Sequence, residues 1–396
     1  MTIAKHAAIK ASKFSTVPAS LQASVAQTKA EYPQLGKSGL RVSNPILGGL
    51  QIGSPERLPW VLGEDKYGGD SMLTREHPPG TATAQGGEFM TADAFLLPTP
   101  QVGHGKRLLE RRVGKDHGQS TPEVRHPRSK VVLLTKCGRV VCGPENLDVG
   151  SGVAAHSAEA ARSKDYMNAW GLSRSSIFHA VAASLERLGT PYIDLLQIHR
   201  FDEQVPPEET MGALDHLVKA GKVRYIGASS MWAYQLALLQ QAADKHGYAK
   251  FVSMQNHYNL LYREEEREMN RYCHETGVGL IPWAPLASGQ LARPRDQNGA
   301  SPRSTATQNG ALYHDDDASA SRAIVGHVQE TARRRGWPMS HVALAWLNRR
   351  VAAPVVGLGS VARLDDVLGA RGKVLTAEEE GYLDEQYRPR WVQGHM

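Results

Sequence analysis

Short apolar runs rich in Val, Ile and Leu recur along the chain from Lys130 onward, separated by longer segments of helical period. The runs are Val131–Thr135, Tyr192–Ile198, Val223–Ala228, Phe251–Gln255, Val278–Trp283 and Ala353–Leu358, with an earlier one at Pro45–Gly49. Their continuous apolar character predicts strands buried on both faces, as in a parallel sheet. Between two of them, Ile177, Val181, Leu185 and Leu188 line one helical face behind a capping residue, Ser173. Leu214, Leu217 and Val218 form another such face, closed by Gly221. Alternation sustained this long predicts either a doubly wound sheet or a barrel, and one more strand would complete the eight of a barrel. No GxGxxG follows any run, which counts against the dinucleotide-binding version of the doubly wound sheet.

Two stretches break the pattern. Residues 1–30 hold no acidic residue and no arginine, and carry Lys5, Lys10, Lys13 and Lys29 among Ala and Ser. A transit peptide would favour Arg, so residues 1–34 read as a disordered extension ahead of a domain spanning 35–390. From Tyr67 to Pro127 there is no alternation, but many Gly, Pro and Thr and an Arg-rich tract around Arg107–Arg112. A loop of that length is rare inside a compact domain. Residues 67–127 are therefore read as an irregular insert that disrupts the second-strand region.

Composition narrows the function classes. The 396 residues suffice for a single barrel with insertions, which needs about 250. The net charge of +6 is scattered rather than gathered in a stripe, so nucleic acid is not an expected partner. Cys137, Cys142 and Cys273 make neither a disulfide framework nor a zinc spacing, so reduced thiols, a cytoplasmic setting and no metal are expected. No apolar run reaches the roughly 18 residues of a membrane span, so no membrane partner is expected. Nothing in the sequence speaks to oligomeric state.

The residues able to do chemistry stand at the ends of the apolar runs. Lys136 ends VVLLTK and His199 ends YIDLLQIH. By themselves, a strand-end Lys reaches water and a strand-end His is held by its neighbours. Ser229 and Ser230 read equally as turn caps, and Trp283 as a core aromatic.

Their context changes that reading. Leu35–Leu40 (LGKSGL) leads into Arg41–Pro55 (RVSNPILGGLQIGSP), and Gly171–Arg200 reads GLSRSSIFHAVAASLERLGTPYIDLLQIHR. Further on stand Gly221–Trp232 (GKVRYIGASSMW), Phe251–Arg263 (FVSMQNHYNLLYR) and Gly279–Pro294 (GLIPWAPLASGQLARP). In this order and spacing they resemble the aldo-keto reductases, most closely the aryl-alcohol dehydrogenase and norsolorinic acid reductase branch. The resemblance covers roughly residues 35–66 and 130–370. It implies a (β/α)8 TIM barrel with its site at the C-terminal ends of the strands. The implied activity is NADPH-dependent reduction of an aldehyde or ketone on an aromatic or polyketide-like small molecule, of the kind found in fungal secondary metabolism.

The family uses a Tyr as acid, a Lys that lowers the Tyr pKa, an Asp paired with that Lys, and a His that orients the carbonyl. Carried over, Lys136 is that Lys and His199 that His. Ser229, Ser230 and Gln255 match the carboxamide-binding positions, and Trp283 the aromatic that stacks on the nicotinamide. Pro285, Leu286, Gly289, Leu291 and Arg293 fall in the loop over the pyrophosphate, and Gly357, Ser360 and Arg363 at the adenosine-phosphate end. Arg363 suits a 2′-phosphate, hence NADP(H), while Val367 stands where the family usually has Asn.

The Asp and Tyr should lie in a motif close to Trp-Asp-Thr-Ala-Asn-x-Tyr-Ser-x-Gly, which the chain lacks. Back-translating Val102–Gln119 (VGHGKRLLERRVGKDHGQ) one base later permits Trp-Asp-Thr-Ala-Asn-Val-Tyr-Ser-Asn-Gly-Val-Ser-Glu-Lys-Ile-Met-Gly-Lys. Ser120–Pro127 then permits Ala-Leu-Leu-Lys-Tyr-Gly-Ile-Pro, running directly into Arg128. The Asp falls in the slot of Gly103 and the Tyr in that of Leu108. Just upstream, Leu96–Gln101 (LLPTPQ) back-translates to a pyrimidine-rich tract that can end in CAG. A retained intron or a displaced exon edge is the expectation, and the rival one is a barrel that binds NADP(H) with impaired catalysis.

Overall fold

Eight parallel strands run in sequence order around the computed structural model, which describes residues 17–49, 91–93, 128–139, 162–164, 166–294, 296, 318–357 and 359–395. They are β1 (Ile46–Gly48), β2 (Thr91–Asp93), β3 (Val132–Cys137), β4 (Ile193–Ile198), β5 (Val223–Ser229), β6 (Phe251–Gln255), β7 (Gly279–Leu280) and β8 (Val355–Gly357). Each pairs in parallel with its neighbours, and β8 pairs with β1. The remaining seam closes through backbone bonds, the Val355 N–H donating to the Pro282 carbonyl at 2.8 Å. The alternation seen in the sequence is therefore that of the (β/α)8 barrel. Of the expected run Val278–Trp283 only Gly279–Leu280 is regular strand, because Pro282 has no N–H to give the ladder.

Helices cover the outside: α1 (Ala19–Gln27), α2 (Arg174–Leu188), α3 (Pro207–Lys219), α4 (Ala233–His246) and α5 (Met269–Thr276). They continue with α6 (Ala318–Arg335), α7 (Met339–Asn348), α8 (Val361–Leu368) and α9 (Ala377–Asp384). The Ser173 side chain caps α2 by accepting from the Ser176 N–H, and Gly189 ends it in the left-handed conformation, φ 60°. Ile177, Val181 and Leu188 from α2 pack on Leu133, Ile193 and Leu196 of the sheet, the largest of the apolar clusters.

Strand alternation sends the other side chains inward. Leu134, Leu195, Ile281 and Val355 meet inside the barrel with Leu35 and Val42 of an N-terminal hairpin, which plugs its floor. That hairpin turns at Gly36, where a Cβ would lie 2.2 Å from the Gly277 carbonyl, so no larger residue fits.

Two expectations need correction. Disorder through residue 34 does not hold for 17–34, where α1 forms and Ala30 is buried beside α8. Ala30 anchors the segment because α1 itself buries nothing. Irregularity across 67–127 fails at Thr91–Asp93, which fills the second strand position between β1 and β3. A slot between two parallel strands offers hydrogen bonds on both sides, and even a sequence without strand period satisfies them. The rest of that segment, including the Gly103 and Leu108 slots, lies outside the described residues, as do residues 1–16 and Cys142.

Candidate active site

The C-terminal ends of β3 and β4 bring Lys136 and His199 together. Lys136 follows Leu134 on the inward face and is 7% exposed, in register with Gln197 of β4. One position further, the His199 N–H donates to the Cys137 carbonyl at 2.9 Å. Burial, and then the charges of Lys136, Arg139 and Arg200, hold the His199 imidazole well below its ordinary pKa. It therefore stays neutral at physiological pH, with one ring N–H to donate. Its Nδ1 is buried and has no hydrogen-bond partner among the described residues.

Below them, Gln197 is fully buried and neither atom of its amide is partnered among the described residues. On the adjacent strand Gly227 leaves the space this amide needs, since a Cβ there would lie 2.2 Å from Ser253 Oγ. Polar groups thus form the floor beneath Lys136.

Across the mouth, Ser229 Oγ donates to the Gln255 carbonyl at 2.7 Å, and the Ser230 N–H to the same carbonyl at 3.2 Å. Ser230 takes a left-handed turn, φ 31°, which aims its hydroxyl at Trp283. Trp283 Nε1 donates to Ser230 Oγ at 3.1 Å. One face of the indole stacks on His257 at 4.1 Å, and His257 stacks in turn on Tyr262 at 4.2 Å. The four residues Ser229, Ser230, Gln255 and Trp283 are thus one connected shelf.

Burial, followed by the charge of Arg390, pushes the His257 imidazole down to about 3. Two histidines therefore hold folded pKa values below the ordinary 6.5. The unfolded chain takes up these protons as pH falls through 6.5 while the folded chain does not, so the stability they contribute is present above that pH and is lost below it. Urea melts between pH 7.5 and pH 5.5 should show stability falling by roughly 1 kcal/mol per pH unit for each histidine. His257→Gln should shallow that slope; an unchanged slope would mean that His257 is not the group titrating.

The loop after β7 is held in an unusual backbone path. Ala284, Ala287, Ser288 and Gly289 all have positive φ, from 47° to 98°. The path is held by its own backbone bonds, the Ala287 N–H donating to the Ala284 carbonyl at 3.0 Å and the Gly289 N–H to the Leu286 carbonyl at 2.8 Å. Arg293 folds back over it, its Nη2 lying 2.8 Å from where a Cβ on Gly289 would be. Pro285 is buried and Leu286 packs between two apolar clusters, while Leu291 is fully buried with Trp346, so its side chain serves packing. Beyond β8, Gly357 pairs with Gly48, and the Ser360 side chain caps α8 by accepting from the Arg363 N–H. Arg363 is exposed at that helix start, and Val367 is buried in the α8 cluster. A helix N-terminus beside the last barrel strands is a common phosphate site.

These features fit a dinucleotide: a polar and aromatic shelf, a tight loop beneath Arg293 and a basic helix start. No group of three metal-ligating side chains occurs among the described residues. Nor is any described helix long and apolar enough to cross a membrane. Cys137 and Cys273 are buried and unpaired, and burial pushes the Cys137 thiol up to about 12, so it is inert at neutral pH.

The sequence reading passed over Arg139, Arg200 and the C-terminal tail. Arg200 stood inside a quoted motif, next to His199, but its direction across the mouth depends on tertiary structure. The tail crosses the same mouth: Arg390 N–H donates to Glu264 and Gln393 N–H to Tyr262 Oη, at 2.7 and 2.9 Å. His395 meets Glu265 at 2.8 Å and lies edge-on to Trp232. Gly394 lies against Arg200, Trp283 and Ser230, all within 4 Å of a Cβ placed there.

Residues 104–388 match the aldo/keto reductase family. Over 389 residues the chain is 53% identical to the aldo-keto reductase dtxS3 of Metarhizium robertsii, covering 98% of this chain and 100% of that one. It is 42% identical over 363 residues to versiconal hemiacetal acetate reductase of Aspergillus parasiticus, covering 91% and 98%. A Schizosaccharomyces pombe protein named as an aryl-alcohol dehydrogenase is 41% identical over 372 residues, covering 92% and 98%. With a barrel whose strand ends carry this set of side chains and with relatives named as reductases, the chain is an oxidoreductase and belongs to the aldo/keto reductase family.

Proposed function

We propose that the protein reduces an aldehyde or ketone on a small aromatic or polyketide-like molecule, using NADPH, in a cytoplasmic setting and within a fungal type of secondary metabolism. The observation that carries this reading is the pairing of buried Lys136 with a neutral His199 opposite the Ser229–Gln255–Trp283 shelf. A bound NADPH supplies the hydride. His199 offers an N–H to the substrate carbonyl oxygen, and a neutral donor there polarises the carbonyl without already holding an extra proton. Lys136 favours the anionic form of any acid beside it, so a proton passes to the developing alkoxide more readily near neutral pH. The shelf holds the nicotinamide by its carboxamide and by ring contact with Trp283, and Arg363 supplies charge for a 2′-phosphate. The fungal relative named for reducing versiconal hemiacetal acetate supports the setting.

The test is NADPH oxidation with aromatic aldehydes and ketones, followed at the reduced-nicotinamide absorbance. Consumption of NADPH in step with carbonyl loss is the expected result, and no consumption with any carbonyl compound counts against it. Trp283→Ala should weaken NADPH binding by about threefold to tenfold, the worth of one aromatic contact. Fluorescence titration of NADPH measures this, and an unchanged dissociation constant would return Trp283 to a packing role.

A further inference from the structure

Among the described residues, the mouth of the barrel carries more positive charge than the proposed reduction uses. The end of β3 leads through Gly138 to Arg139, and the end of β4 leads through His199 to Arg200, so the two arginines fall side by side in the parallel register set by Cys137 and Ile198. Arg200 is half-buried, and its Nη1 donates to the His199 carbonyl at 2.5 Å. Its other terminal nitrogen reaches over the mouth, 3.4 Å from a Cβ position at Gly394 that is itself 3.7 Å from the Trp283 ring. The guanidinium thus hangs between the His199 side of the site and the Trp283 side.

Among the described residues, neither Arg139 nor Arg200 has a carboxylate within ion-pairing distance. One buried acid, Glu265, acts on Arg200 from further off and offsets part of its charge, while its Oε1 also meets His395 at 2.8 Å. Like charges gathered in a partly desolvated place cost free energy unless something opposes them. Burial and then Arg139 push Arg200 down to about 10, which is that cost as the guanidinium feels it. The β7 loop and the start of α8, which suit the cofactor's phosphates, lie on other strands, so the cofactor does not account for this charge. What enters between Arg200 and His199 is the substrate.

We infer that Arg200, supported by Arg139 at the rim, forms an anion subsite that selects carbonyl substrates bearing a carboxylate. This rests on the reductase reading above and names its substrate class. A guanidinium offers two parallel N–H donors to a carboxylate, and a methyl ester of the same shape cannot replace that interaction.

The test separates binding from turnover. Calorimetric titration of the full chain with NADP+ present uses benzoate, 4-formylbenzoate and methyl 4-formylbenzoate, and a short oxo acid against its methyl ester. The acids should bind about tenfold or more tightly than the esters, the scale of one charge-assisted hydrogen bond. That preference should collapse in Arg200→Gln and diminish in Arg139→Gln, which sits at the exposed rim and keeps the test open should the Arg200 variant misfold. It should also shrink as salt is raised. Acid and ester binding within twofold of each other, no binding of any acid, or a preference that survives both substitutions would overturn the subsite. Acid binding lost in the variants, with no NADPH oxidation even when Val102–Gln119 carries the shifted-frame sequence, leaves the subsite standing and removes the reductase reading. NADPH oxidised equally with acid and ester does the reverse.

Discussion

A chain in which Val102–Gln119 is replaced by the shifted-frame sequence beginning Trp-Asp-Thr-Ala-Asn-Val-Tyr-Ser should oxidise NADPH with an aromatic aldehyde about 10²–10⁴ times faster than the present chain. The factor is that of one positioned general acid. The present chain has Gly103 and Leu108 in the slots of the family's Asp and Tyr, and neither glycine nor leucine carries a transferable proton. Hydride transfer assisted only by the His199 N–H remains slow, because the alkoxide must wait for solvent to protonate it. Parallel rate measurements on the two proteins decide the matter. Equal, robust turnover would mean that another proton donor is at work. Asp93 is then the next residue to replace, because β2 ends there in register with Leu134, two positions before Lys136.

Replacing Lys136 by methionine in the shifted-frame protein should lower kcat/KM by about 10²-fold or more at neutral pH. The loss should shrink as pH is raised. Methionine keeps the length and packing of the side chain but removes the charge. Without that charge the neighbouring phenol returns toward its usual pKa of about 10, so less of it is matched to a carbonyl oxygen at neutral pH. A pH–rate profile whose limb moves to higher pH is the diagnostic result. A uniform loss at all pH values would instead assign Lys136 a role in packing alone.

The barrel was legible because its strands are apolar on both faces and its helices on one. Ser173 and Gly189 mark the ends of α2 through local chemistry that needs no tertiary context. Strand β2 was not legible, because Thr91–Asp93 has neither strand period nor length, and its hydrogen bonds come from β1 and β3 on either side. Lys136 and His199 could be found because a barrel collects the ends of its strands at one mouth. Arg200 and Gly394 could not, since their meeting joins residues from β4 and the last turn of the chain. Leu291 shows what a motif position leaves out: its side chain packs in the core with Trp346, which the sequence alone did not indicate.

The tail that crosses the mouth has a consequence for how the protein matures. Arg390, Gln393 and His395 follow all eight strands along the chain, so they are synthesised after the whole sheet. Up to that moment the barrel can close while Glu264, Glu265 and Tyr262 still lack the partners the tail brings them. The finished entrance, with Gly394 against Arg200 and Trp283, is therefore assembled after the sheet. Chains stalled or truncated within those last residues should carry a complete barrel and an unfinished doorway.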